Sequence, residues 1–286
     1  GIGGLADSFY EYLPKMYHML RGQDSKYFPA YKNMYLDASK AIKDYMVIQP
    51  RIPANQNILF ISSIKAGKQG DEVVIDQELD MQHLSCFAGG MFAMASRRFD
   101  VPEDIEIAEK VTYGCYQMYK RMKIMPEVLW VDKARSRDDK YDEDKRLKPF
   151  VPHQPSGPVK TPTKVPPAQE TRVSYIHKKA VIPEVEKPEE SSAPKVRVLA
   201  KEPTQLPVHE WNTPGQPNWL NKIDAKYILR PEAIESVIYM YRITGDKKWR
   251  DMGWEMWENV EKYCRTTNGE YAAIHDVRKI EDLSSW

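Results

Sequence analysis

"YILRPEAIESVIYMYRITGDKKWRDMGWEMWENVEKYC", residues 227–264, decides the fold class. Apolar residues return every three or four positions over Pro231–Thr244 and again over Lys247–Cys264, the period of an amphipathic helix. The polar "TGDKKW" between them is a short turn, so the two helices are expected to be antiparallel neighbours. The same period recurs in Ala6–Leu20 and Tyr27–Met46, and again in His83–Ser96 and Glu103–Met122, giving three helix pairs. Two β-like runs, "NILFISSI" (57–64) and "DEVVIDQEL" (71–79), enclose "KAGKQG" and read as a hairpin. The expected class is all-α, built of helix pairs with small β excursions. No repeat with a shared consensus is visible, which weighs against a solenoid.

From about Asp132 to His209 the composition changes. Twelve of the 21 prolines lie between Tyr141 and Glu210, among Lys, Glu, Ser and Thr. "HQPSGPVKTPTKVPPAQ" (153–169) cannot sustain helix or sheet hydrogen bonding, nor bury enough apolar area to offset its ordering entropy. Residues 132–209 are therefore expected to be a disordered insertion between two helical parts, 1–131 and 210–286. Its PxxP-like spacing would suit a polyproline-binding partner, with a plain linker as the simpler reading.

At 286 residues and 42% hydrophobic, the chain can bury one large core or two small ones. A net charge of +1 supplies no electrostatic reason to expect nucleic acid. The mean hydropathy of −0.63 is low for a packed domain, in line with a polar segment diluting it. No apolar run approaches the ~18 residues of a membrane span. The first residue is Gly1, within a motif-like stretch, which reads as a processed or truncated product. Cys86, Cys115 and Cys264 have no CxxC spacing and the six histidines form no HExxH, so zinc is not expected. Spacing alone leaves one disulfide plus a free thiol, or three reduced thiols, as equal alternatives.

Three acidic or basic groupings invite chemistry. Pro231 fits a first helical position, and Glu232 falls in the first turn, where the helix dipole favours a negative charge by ~0.3–1 kcal/mol. Helix entry explains both residues. The same geometry, with Arg230 alongside, also predicts a carboxylate of lowered pKa suited to act as a base. In "GGLADSFYEYLPK" (3–15), Asp7 could N-cap the following helix, and Asp7 and Glu11 lie one turn apart on one face. In "DMQHLSCFAGG" (80–90), His83 stands just before a helix containing two glycines.

Together with "CYQMY" (115–119), "MPE" (125–127), "ITGDKKWRDMGWEMWENVEKYCRT" (243–266) and "GEYAAIHDV" (269–277), these blocks follow an order that resembles the class I α-1,2-mannosidases, glycoside hydrolase family 47. The resemblance spans nearly all of the chain outside the proline-rich segment. It implies a partial (α/α)7 barrel, with a hairpin plugging one end, and removal of terminal α-1,2-linked mannose from high-mannose N-glycans, with inversion and with calcium. Glu232 then matches the general base and Asp7 the aspartate on the acid side of the site. Leu5, Glu11, His83, Glu127, Arg230 and Glu235 match sugar-contacting positions, and Leu5 stands where less branch-selective members carry Leu rather than Arg. Cys86 and Cys115 match the family disulfide, which resolves the cysteine alternatives, leaves Cys264 free and implies an oxidising compartment. The expected location is the secretory pathway, in the Golgi or endoplasmic reticulum lumen, or secretion.

The resemblance also marks departures. The family's general acid belongs to a half of the domain before Gly1, and its calcium-binding threonine lies beyond Trp286. This chain alone is therefore expected to lack activity and to act, if at all, as a glycan-binding or degenerate product. Half a barrel would also leave inner apolar faces exposed. Pro14 replaces a usual aliphatic residue. At ~3 kcal/mol for a mid-helix proline, it predicts a kink or an early end to the first helix.

Overall fold

The computed structural model describes residues 2–4, 6–20, 28–50, 58–131, 134–136, 195–199 and 220–280. All six expected helices are present: α1 (Asp7–Met19), α2 (Phe28–Tyr45), α3 (Phe87–Arg98), α4 (Asp104–Met122), α5 (Glu232–Thr244) and α6 (Lys247–Cys264). The connection from α5 to α6 shows why the boundary was sharp. Gly245 takes the left-handed conformation (φ 73°) and its N–H closes on the Tyr241 carbonyl at 2.9 Å. Asp246 then caps α6, accepting from the Lys248 N–H at 3.0 Å.

α3 is the centre of the core. Its sequence, FAGGMFAMASRR, is apolar on nearly every side, as a helix surrounded by others must be. It packs against α1, α4 and α5. Two glycines set the approach of α4 and α5. A Cβ on Gly89 would stand 2.2 Å from Thr112 Oγ1, and one on Gly90 would stand 2.8 Å from the Tyr239 ring. Into this close seam Ser236 inserts its hydroxyl, which donates to the Cys86 carbonyl (2.6 Å) and accepts from the Gly90 N–H (2.8 Å). Cys86 and Cys115 form a disulfide with a Cα–Cα distance of 6.2 Å, tying the approach to α3 to α4; Cys264 is free and buried.

Several expectations need correction. The all-α class understates the strands: among the described residues nine short ones form three three-stranded sheets, in the orders β2-β1-β7, β3-β4-β8 and β5-β6-β9. They are β1 (Val47–Pro50), β2 (Phe60–Ile61), β3 (Ile64–Gln69), β4 (Glu72–Gln77), β5 (Asp80–Gln82), β6 (Val128–Val131), β7 (Ala134–Ser136), β8 (Lys195–Leu199) and β9 (Leu220–Asp224). The hairpin exists but turns later than expected. "KAGKQ" is itself strand β3, and the loop is Gly70–Asp71, with Gly70 at φ 62°. The segment 132–209 is not wholly irregular, because β7 pairs antiparallel with β1 and β8 pairs parallel with β4. The rest of that segment, including the PxxP-like run, lies outside the described residues.

Pro14 does not end α1 early; the helix continues to Met19. Leu13 and Pro14 are both buried, and that packing offsets the lost backbone bond. Among the described residues the helices do not close into a ring, and large apolar side chains on α1, α5 and α6 face solvent: Met19 is 70% exposed, Trp254 62%, Phe9 57% and Ile238 55%. No described helix is long and apolar enough to cross a membrane.

Candidate active site

Sheet β5-β6-β9 assembles one side of the site. Its end delivers His83 just after β5, Glu127 just before β6, and Tyr227–Arg230 shortly after β9. The Glu127 backbone is held twice: its carbonyl accepts from the His83 N–H (2.8 Å), and its own N–H donates to the Asp224 and Lys226 carbonyls (3.1 and 2.7 Å). From that fixed point its carboxylate receives the guanidinium of Arg230. Nε donates to both carboxylate oxygens at 3.1 and 3.0 Å, and a second guanidinium nitrogen adds a further bond. Leu229, with φ 59°, makes the turn that brings Arg230 there, in a region a bulky side chain rarely occupies.

Arg230 is the hub of the charges. The hydrogen bonds that it donates to Glu127 hold its guanidinium above the ordinary range against partial burial, with the charges of Glu127, Glu232 and Asp7 adding to them. Asp7 reaches this neighbourhood from α1. Gly3 and Gly4 lie against Gln82, whose side-chain oxygen accepts from the Gly4 N–H at 3.2 Å. Asp7 does not cap the helix; Ala6 is the cap residue, and no side chain caps that end.

Glu232 opens α5 directly after Pro231, which stands at the cap rather than inside the helix. Its carboxyl pKa is raised, which reverses the expectation of a lowered one. Burial dominates, outweighing the bond from its own backbone N–H and the positive charge of Arg230, while Glu127 and Glu235 push the same way as burial. Its Oε2 is buried and has no hydrogen-bond partner among the described residues.

His83 is fully buried. Burial, and then the positive charge of Arg230, push its pKa down to about 3, so the imidazole is neutral at physiological pH. It stacks on Tyr227 (5.6 Å between centroids, 23° between planes) and its Nε2 lies 3.3 Å from the Tyr119 hydroxyl. Burial pushes the Tyr227 hydroxyl up to about 12, with the charge of Glu232 contributing in the same direction.

Glu11 and Glu235 meet through a residue the sequence reading did not single out. Lys15 bonds Glu11 one turn back on α1 and reaches Glu235 Oε1 on α5 at 3.0 Å. Glu followed four residues later by Lys is a recognised helical ion pair, which was the available signal. Tyr119 and Tyr227 were also missed as site residues; both lay inside quoted blocks, but nothing in their spacing marks them as the wall beside Glu232. Asp7, Glu11, His83, Glu127, Arg230, Glu232 and Glu235 are thus linked by direct bonds or by mutual electrostatic influence. Leu5 lies outside the described residues.

The sequence model of glycosyl hydrolase family 47 matches residues 1–284. The chain is 26% identical over 280 residues to a probable mannosyl-oligosaccharide α-1,2-mannosidase 1B of Aspergillus fumigatus, covering 97% of this chain and 39% of that protein. Against the mannosyl-oligosaccharide 1,2-α-mannosidase IA of Sus scrofa it is 26% identical over 288 residues, covering 96% and 28%. In fold it is similar to an α-1,2-mannosidase from Trichoderma reesei, with a TM-score of 0.59, 22% identity, and coverage of 97% and 41%. The chain therefore spans less than half the length of each.

Proposed function

Because the chain belongs to glycosyl hydrolase family 47, we propose that it carries the base side of a site that hydrolyses terminal α-1,2-linked mannose on high-mannose N-glycans, with inversion, within an (α/α)7 barrel. One observation carries this reading: Arg230 lies within electrostatic reach of both Asp7 and Glu232, carboxylates at the entrances of helices more than two hundred residues apart. An inverting glycosidase needs an acid and a base on opposite faces of the bond, ~6.5–9.5 Å apart, with a water between.

In this scheme Glu232 is the base. Its unpartnered Oε2 is a free acceptor for the proton of the attacking water, and its raised pKa makes it a better acceptor than an ordinary carboxylate. Arg230, clamped by Glu127, stands beside the base, and its positive charge favours the ionised form of Glu232, partly opposing the effect of burial. Neutral His83, buried beneath the site and stacked on Tyr227, backs Arg230 without adding charge. Calcium takes six to eight oxygen ligands, but no cluster of three or more ligating side chains comes together among the described residues. Glu11 and Glu235 are engaged by Lys15, and Glu127 by Arg230. These residues do not fit calcium by themselves. The disulfide suits an oxidising compartment such as the secretory pathway.

The test is release of mannose from a Man9 glycan, with the anomer followed by NMR and with EDTA added. Turnover with inversion, abolished by Glu232→Gln while glycan binding persists, supports the reading. Turnover undiminished in Glu232→Gln removes the residue from the base role. Mannoside binding without turnover assigns the chain to the alternative, a glycan-binding member of the family.

A further inference from the structure

Resting on the reading above, we propose that Lys15 is a positioning residue: a clamp that fixes α1 against α5 and so sets the span between Asp7 and Glu232. The two helices present matching faces. Asp7, Glu11 and Lys15 follow at four-residue intervals along α1, and Glu232, Glu235 and Tyr239 follow at three and four along α5, so each trio shares one side of its helix. The backbones of α1 and α5 do not pack broadly on each other; α1 rests on α3, and α3 on α5. The side-chain ties described from α1 to α5 all run through Lys15, by its ion pair with Glu235 and its approach to the Tyr239 ring, 5.7 Å from the centroid.

The ammonium is well built in. Within its own helix it is bonded to Glu11 and lies 5.8 Å from the Tyr12 ring. Below it, Pro14, Phe87, Met91 and Gly90 line a shallow cleft that Glu235 and Tyr239 close from the other side. Burial would lower the pKa of Lys15, but the bonds to Glu11 and Glu235 more than offset that and raise it, so the clamp stays charged wherever the protein is folded at ordinary pH. A cation between two carboxylates on different helices also removes the repulsion that would otherwise drive Glu11 and Glu235 apart. The site then has two cationic ties: Arg230, within electrostatic reach of Asp7 and Glu232, and Lys15, which joins Glu11 and Glu235, each about one turn further along its helix.

The experiment compares the wild-type chain, Lys15→Met and Lys15→Arg. Methionine keeps the apolar stem without the charge, and arginine can still bridge two carboxylates. Nitroxide labels on cysteines at the exposed positions Phe9 and Ile238, in a Cys264→Ser background, report the α1–α5 distance by pulsed electron resonance. Calorimetry with α-1,2-mannobiose reports the sugar site. The expected result is a narrow distance distribution in the wild type, a broad one in Lys15→Met, and a narrow one again in Lys15→Arg. Mannobiose affinity should fall about tenfold in Lys15→Met and largely recover in Lys15→Arg, the loss expected when charged bonds that hold two ligand contacts disappear. A distribution as narrow in Lys15→Met as in the wild type overturns the clamp, whatever the sugar does. A clamp effect with no mannobiose binding by the wild type overturns the mannoside reading instead.

Discussion

Replacing Glu127 by alanine would strip Arg230 of the carboxylate that receives its fork. The pair is neither on the surface nor sealed, with side chains 25% and 19% exposed. An exposed ion pair is worth ~0–1 kcal/mol, whereas removing one partner from a fully buried pair costs ~3–5 kcal/mol. Two Nε bonds of 3.0 and 3.1 Å and a third from the second nitrogen place this pair between those limits. A coupling energy of about 2 kcal/mol follows for three charge-assisted bonds in a partly wet setting. The assay is a double-mutant cycle in urea with Glu127→Ala, Arg230→Ala and the double variant. The two single losses should exceed the double loss by that amount. A coupling below about 0.5 kcal/mol would refute the claim that Glu127 fixes Arg230 energetically. Freed from Glu127, Arg230 would be left with the weaker influence of Asp7 and Glu232, so mannoside affinity should fall with stability.

Other outcomes can be read with similar directness. The carboxyl of Glu232 has a folded pKa above its unfolded value, so its protonated form favours the fold; that contribution is complete below the unfolded pKa and fades as pH rises through the folded one. Glu232→Gln should therefore gain stability relative to wild type between pH 4 and pH 7, measured as melting temperature, and a gap that shrinks over this range would contradict the burial argument. Gly89→Ala should cost ~1–3 kcal/mol by overpacking α3 against Thr112 of α4 and Ser236 of α5; a variant as stable as wild type in denaturant would show that the packing there has slack. Opening the Cys86–Cys115 bridge by double replacement with alanine releases a loop with a sequence separation of 29, and should lower unfolding free energy by about 3 kcal/mol.

The helices were readable from their apolar period, and the α5–α6 connection carried its own punctuation as well. Pro231, Gly245 and Asp246 fix the α5–α6 pair with residues whose backbone preferences act locally. Sheet β5-β6-β9 was not readable, because Met81, Leu129 and Ile223 come together from three remote segments and each strand is too short to carry a period of its own. "KVRVL" in β8 does alternate, but the surrounding proline and charge masked it. Among the site residues, types and spacings pointed to Asp7 and Glu232 as carboxylates at helix entrances. The direction of the Glu232 pKa was missed because the burial that raises it comes from the folded surroundings, invisible in a local helix argument. The Lys15–Glu235 bond was missed for the same reason, since 220 positions separate its partners.

The placement of β8 on β4 and of β7 on β1 anchors both flanks of the long proline-rich connection to the body formed by the first part of the chain. A protease that severed the polypeptide between residues 137 and 194 would put Asp7, His83 and Glu127 on one product and Arg230, Glu232 and Glu235 on the other. The β6–β9 ladder and the Gly90–Ser236 seam would still join them. Neither product would own a whole set of carboxylates, so the site would depend on the two polypeptides staying together.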